Sequence, residues 1–432
     1  MERIEIGFIG ILVVLGLIGI RVPIGVAMGG TAFVGLWTMM GWNSAVGIAR
    51  AIPFNLIGDW NLSAIPMFLL MGFFAVEANL TGSLFRAARV LLAWLPGALA
   101  SSTVVASGLF ASASGSSVAT AAAFARIASP EMLKAGYDKG LATGSVASAG
   151  TLGSLIPPSV LMIVYGIILG TPINALFIAG VIPGILTAVM FIALITLRCT
   201  FNPKLAPRVE VKSTAAEKRA LIADAWPLPA LIVGVMGGIF AGIVTPTEAG
   251  AFGALLALVL AMIRRQMTWA KLGYSLHATA AASAEIFIVV LGASLFSRFV
   301  ALATIPTWII GAFEGFETWQ ILVFICVLYV ILGAFLESIS IMLLTLPVMA
   351  PLLATHDVNL IWFGVIVVKL LEIGLVTPPM GMNVYVIKSA LGEQIRLGEI
   401  FRGATWFIMI DMITLTLLVV FPIISLWLPG LM

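Results

Sequence analysis

Apolar runs of about 20 residues recur along almost the whole chain, starting with Ile4 to Ile20, and they leave few options for its fold. In hydrocarbon every backbone N–H and C=O must find a partner within the protein, so a segment of that kind crosses a bilayer only as a helix. A transmembrane barrel would need alternating strands of roughly ten residues, and the sequence offers none. Composition agrees: of the 432 residues 61% are hydrophobic and 9% charged, with mean hydropathy +1.17. Soluble domains carry roughly 25% charged residues. The expected fold class is therefore an all-α polytopic membrane protein.

Several function classes fall away at once. A net charge of +3, with no basic stretch interleaved with aromatics, gives no nucleic-acid footprint. Cys199 and Cys326 lie far apart, one at a membrane edge and one inside an apolar run, and suggest packing residues rather than a disulfide framework. Acidic Glu2 and Glu5 stand at the start of the first run where a secretory signal would be basic, so we read it as a retained membrane helix. There is no Gly-Lys dipeptide and hence no Walker A loop. His277 and His356 are isolated from each other and from the cysteines, and no Gly-x-Ser-x-Gly elbow occurs. The chain is not expected to be an enzyme or to hold an organic cofactor. Energy for any transport must come from an ion gradient or another subunit.

The one polar stretch long enough to be a linker, residues 198–225, falls near the middle of the chain and carries Arg198, Lys204, Arg208, Lys212, Lys218 and Arg219. That position prompts a search for a repeat. Gly153-Ser-Leu-Ile-Pro-Pro158 followed by Tyr165 is matched by Gly374-Leu-Val-Thr-Pro-Pro379 followed by Tyr385, and Ile65–Gly72 stands opposite Glu285–Gly292. Each half (residues 1–197 and 226–432) then reads as three spans, a polar-tipped re-entrant hairpin, a Pro-Pro-broken span and a final span. The hairpins are expected at about 97–127 and 318–353, and the broken spans at about 140–168 and 360–389. Five crossings per half is an odd number, which turns the two halves into inverted-topology repeats. Lys and Arg test the orientation. With the N-terminus outside, the cytoplasmic side takes 18 of the 22 basic residues and leaves Arg3, Arg50, Arg298 and Lys369. Both termini are expected on the periplasmic side.

Three groups of residues could carry chemistry. Small and hydroxyl residues fill Ala113–Ala123. They would serve close helix packing, but Gly115 flanked by Ser114, Ser116 and Ser117 points to a helix break, with hydroxyls and carbonyls free to hold a cation. Pro157-Pro158 and Pro378-Pro379 each remove backbone donors and so free carbonyls near the bilayer midplane, ligands suited to Na⁺. A structural kink is the alternative, and recurrence in register speaks against it. Thr151, Gly153 and Ser154 precede the first break; Gly374 and Thr377 precede the second, and Asn383 follows it. The third group is Glu337-Ser-Ile-Ser340, a carboxylate at membrane depth whose other readings are capping by Ser338 or a paired structural charge. Lys369 and Glu372, three residues apart, are expected to pair with each other. Thr245 and Glu248 read as a capping box. Glu285 and Asp411 lie in apolar spans without an assigned role.

These segments, with Val181-Ile-Pro-Gly-Ile-Leu186 and Thr245-Pro-Thr-Glu-Ala249, resemble the large membrane subunit (DctM type) of tripartite ATP-independent periplasmic (TRAP) transporters, over essentially the whole chain. Phe124-Ala-Arg126 departs from the small-residue continuation such subunits show. The resemblance implies a Na⁺-coupled, elevator-type secondary transporter of the bacterial inner membrane. Its partners would be a small four-helix TRAP membrane subunit, here a separate polypeptide, and a periplasmic substrate-binding protein that delivers an organic-acid substrate: a dicarboxylate, a sugar acid or sialic acid. Carried over by position, one Na⁺ site would use Ser114, Gly115, Ser116, Ser117, Thr151, Gly153 and Pro157. A second would use Glu337, Ser338, Ser340, Gly374, Thr377 and Pro378. The substrate would lie between the hairpin tips, with Ser154 and Asn383 as contacts. A stand-alone carboxylate carrier is the alternative within the class; an intramembrane enzyme or a scaffold subunit is the alternative outside it.

Overall fold

The computed structural model describes residues 2–207 and 214–431, and these contain helices and no strands. Arg208 and Lys212 of the linker lie outside them. The first half runs α1 (Arg3–Gly19), α2 (Ile24–Met40), α3 (Trp42–Ile57), α4 (Ala64–Glu77) and α5 (Leu80–Leu91). A hairpin follows, α6 (Ala98–Ser114) and α7 (Ser117–Lys134), then a helix broken into α8 (Lys139–Gly150), α9 (Leu152–Leu155) and α10 (Val160–Leu169), and the long α11 (Ile173–Phe201). The second half has a linker helix α12 (Ala215–Asp224), then α13 (Pro227–Phe240), α14 (Pro246–Ile263), α15 (Trp269–Leu302) and α16 (Ile305–Ala312). Its hairpin is α17 (Thr318–Gly333) and α18 (Ser338–Thr355), its broken helix α19 (Leu360–Gly374) and α20 (Met382–Leu391), and its end α21 (Leu397–Val420) and α22 (Ile423–Leu426). By length and composition seven helical stretches among the described residues can cross a membrane, eight with the bent α12–α13 pair.

Local chemistry explains most boundaries. Thr245 caps α14 and Glu248 returns a bond to its backbone, closing the capping box, with Pro246 at the first turn. Thr214 and Glu217 do the same for α12. Four elements go beyond the sequence reading. α3 mixes Arg and Asn, and α5 two Arg, with apolar residues and so both lack a continuous apolar run, α16 is short, and α12 sits inside the polar linker. The first hairpin also extends to Lys134 rather than about 127, because α7 continues through Pro130.

Packing is reciprocal between the halves. α2 lies along α15 and α4 along α14, so the second span of each half meets the third of the other. The α2–α15 contact is backbone to backbone: a Cβ on Gly292 would lie 2.1 Å from the Gly25 carbonyl oxygen. Small residues of this kind let membrane helices approach closely. The piece after each break rests on the second hairpin arm of the opposite half, α10 on α18 and α20 on α7. Large apolar side chains such as Phe54, Phe201, Ile243 and Trp269 remain exposed around the outside, as expected of a surface that meets lipid.

Candidate functional site

The first hairpin turns where α6 ends at Ser114. Gly115 takes a left-handed conformation, φ +59°, and Ser116 then caps α7 by accepting from the Ala119 amide. Ser114 Oγ lies 2.8 Å from Thr120 Oγ1, which itself donates to the Ser116 carbonyl at 2.9 Å. The hydroxyls therefore brace the turn from inside. The tip docks on the break of its own half: the Val160 amide donates to the Gly115 carbonyl at 3.3 Å. A Cβ on Gly153 would lie 2.7 Å from the Ser116 carbonyl oxygen, so only glycine lets the two backbones meet. Pro157-Pro158 is cis, as is Pro378-Pro379.

The second hairpin repeats this arrangement with different residues. The Met380 amide, just past the second Pro-Pro pair, donates to the Ala334 carbonyl at 3.2 Å. Gly333 and Gly374 meet backbone to backbone, where a Cβ on Gly374 would lie 2.7 Å from the Gly333 Cα. Glu337 is the cap of α18. Its carboxylate accepts from the amides of Ile339 and Ser340 at 3.2 Å each and from the Ser340 hydroxyl at 2.8 Å. The capping role weighed for Ser338 thus belongs to Glu337, and Ser338 Oγ is left buried without a partner.

Between the tips lies a cavity of about 950 Å³. Of the residues singled out from the sequence, Gly115, Ser116, Ser117, Ser154, Glu337, Ser338 and Ser340 line it. Ser114 at the first tip, and Thr151, Gly153, Pro157, Gly374, Thr377 and Pro378 at the breaks, do not line it. Thr151 Oγ1 donates to the Ser148 carbonyl at 2.6 Å and Thr377 Oγ1 to the Ile373 carbonyl at 2.6 Å. Asn383 is not a cavity residue: it is fully buried, and its amide Nδ2 donates across the halves to the Ala147 carbonyl at 3.1 Å. The turn after Pro379 aims it at α8 rather than at the space between the tips.

The expected Lys369–Glu372 pair does not form. Lys369 pairs with Asp411 on α21 and also donates to Thr187 Oγ1 of α11 at 3.1 Å, all of it buried. Glu372 points the other way, where Ser117 Oγ donates to its Oε2 at 2.5 Å; Ser117 in turn lies 3.0 Å from Ser154 Oγ. Residues three apart share a helix face, yet a buried ion pair needs a short, well-aligned approach, and each side chain finds a better one on a neighbouring helix. Glu372 Oε1 is buried with no partner. The sequence reading missed Glu372 as a tip residue, although a carboxylate at membrane depth six residues before a break was a sufficient signal. It also left Arg21 and Glu285 unassigned; both line the cavity from the α1–α2 corner and α15.

Oxygen donors dominate this site. No cluster of three His, Cys, Asp or Glu side chains occurs among the described residues, while hydroxyls line the cavity at both tips, a set suited to an alkali cation and not to a transition metal.

Comparison with known proteins is consistent along the whole chain. Residues 10–424 match the family model described as tripartite ATP-independent periplasmic transporter, DctM component. The chain is 33% identical over 384 residues to the C4-dicarboxylate TRAP transporter large permease protein of Pseudomonas aeruginosa, covering 87% of this chain and 88% of that protein. It is 32% identical over 426 residues to the sialic acid TRAP transporter large permease protein of Vibrio cholerae, covering 96% and 97%. The YdaH transporter of Alcanivorax borkumensis superposes with a TM-score of 0.55 over 88% of each chain at 14% identity, a likeness of fold alone.

Proposed function

The chain belongs to the DctM-component family of tripartite ATP-independent periplasmic transporters, and we propose that it imports an organic acid together with Na⁺ through the space between its two hairpin tips. The cavity of about 950 Å³, lined by both tips and by Glu372, is the observation that carries this reading. Glu372 Oε1 and Ser338 Oγ are buried without partners, one near each tip, and each supports a cation-binding role there. Na⁺ at Ser114–Ser117 with the first break, and at Glu337–Ser340 with the second, would offset the charge of an anionic solute between them.

In this account α6–α11 and α17–α21 move as a body between two positions against α1–α5 and α13–α16, in an inverted-repeat frame. Both termini face the periplasm, and the membrane is the bacterial inner membrane. The partners are a small four-helix membrane subunit and a periplasmic protein that delivers the solute, as the tripartite name of the family suggests. C4-dicarboxylates and sialic acid, the solutes of the two relatives, are the first candidates.

The test is uptake by proteoliposomes that hold the chain with its small subunit. Radiolabelled succinate or sialic acid is supplied with the delivery protein and an inward Na⁺ gradient. Accumulation that needs all three is the expected result. Accumulation by the chain alone, without the delivery protein, would establish a stand-alone carrier instead. Absence of uptake of either solute under every condition would contradict the assignment of an organic-acid cargo.

A further inference from the structure

Helix α1 ends in a way that its sequence does not favour. The Arg21 amide donates to the Ile18 carbonyl at 2.9 Å and the Val22 amide to the Leu17 carbonyl at 3.0 Å, the paired bonds of a Schellman ending. That ending requires a left-handed residue, and Arg21 supplies it at φ +68°. Glycine is the usual occupant, because a Cβ crowds the carbonyl there. A bulky residue held in such a conformation raises the question of what its side chain does.

The surroundings answer it. Arg21 lines the cavity between the tips from the α1–α2 corner, and Ser116, Ser117 and Glu337 line the same cavity. It is the sole basic residue among those lining that cavity, against Glu285, Glu337 and Glu372. Two of these carboxylates are engaged, Glu337 with its helix cap and Glu372 with Ser117. Among the described residues no acidic side chain pairs with Arg21, and it is exposed. A planar guanidinium with free donors at the mouth of a cavity is suited to bidentate capture of a carboxylate.

We propose that Arg21 is an anion-binding subsite on the non-moving wall, the group that takes the carboxylate of the solute as the tips present it. This rests on the reading of the chain as an organic-acid carrier. Arg265 provides a control within the same molecule: it ends α14 with the same left-handed geometry, φ +55°, but does not line the cavity between the tips. A membrane phosphate could satisfy Arg21 equally well, so the test separates the two sources of anion.

The experiment compares wild type, Arg21→Gly, Arg21→Lys and Arg265→Gly in the complex with the small subunit, reading Tm in detergent and uptake of succinate or sialic acid in proteoliposomes. Both glycine variants should raise Tm, since each relieves the same backbone conformation. Arg21→Gly should lower uptake at subsaturating delivery by about tenfold, the equivalent of one charge-assisted contact, Arg21→Lys should recover part of it, and Arg265→Gly should transport normally. The deficit should be equal in phosphatidylcholine vesicles and in vesicles containing phosphatidylglycerol. Normal uptake by a stable Arg21→Gly protein overturns the proposal and leaves the organic-acid reading standing. So does a deficit confined to phosphatidylglycerol vesicles, which assigns Arg21 to lipid. Wild type that carries neither solute overturns both.

Discussion

Lys369 and Asp411 carry opposite charges in the driest part of the molecule, each side chain 1% exposed. Two charges taken out of water are tolerable only together, and removing one leaves the other uncompensated at a cost of about 3–5 kcal/mol. Lys369→Met should therefore lower Tm sharply in detergent, while Lys369→Met combined with Asp411→Leu should recover most of the loss. A double variant as unstable as the single one would show that the pair does more than balance charge. The partner of Lys369 was not legible in the sequence because Asp411 is 42 positions away, and only the crossing of α19 and α21 brings them together. The partner of Glu372 was hidden in the same way, since its contact with Ser117 spans 255 positions, although its own depth and place before the break marked it as a site residue. The seryl tip and both Pro-Pro pairs, by contrast, were visible as local chemistry, since hydroxyl and imino residues are conspicuous where lipid demands apolar ones.

At the scale of elements, each hairpin turn is fastened to a break by one backbone hydrogen bond and one glycine contact. Gly374 meets the Gly333 backbone so closely that even a methyl group, 2.7 Å from its Cα, must push the tip away from the break. Gly374→Ala should cost about 1–3 kcal/mol by overpacking and reduce uptake. Gly237→Ala serves as control: nothing lies within 4 Å of its added methyl, and a helix-interior alanine should stabilise α13 by roughly 0.5–1 kcal/mol. Equal behaviour of the two variants in melting and uptake would dissolve the idea of a tip held to its break. The hairpins and breaks were readable because their signals are local and occur twice. The ends of α7 and the existence of α3, α5 and α16 were not, because amphipathic or short helices at a membrane edge lack the continuous apolar run that marks a span.

The molecule as a whole divides, on the proposed function, into a tip-bearing body and a surrounding frame. A second cavity of about 610 Å³ lies on that division, with Ala293 of α15 on the frame side and Leu343 of α18 on the other. Cysteines at these two positions, joined by a short bifunctional thiol reagent, should arrest uptake, and reduction of a cleavable linker should restore it. Undiminished uptake by the cross-linked protein would mean that the two bodies do not slide along this seam. The central claim is that cations held at the tips drive the solute, and a Na⁺ titration tests it most directly. Uptake by proteoliposomes holding the chain and its small subunit is measured against Na⁺ concentration for wild type and for Ser116→Ala with Ser117→Ala. The account predicts that wild-type uptake vanishes when Na⁺ is replaced by K⁺, and that the double variant, folded to the same Tm, needs a markedly higher Na⁺ concentration for half-maximal uptake. A double variant whose Na⁺ dependence superposes on that of wild type would contradict it.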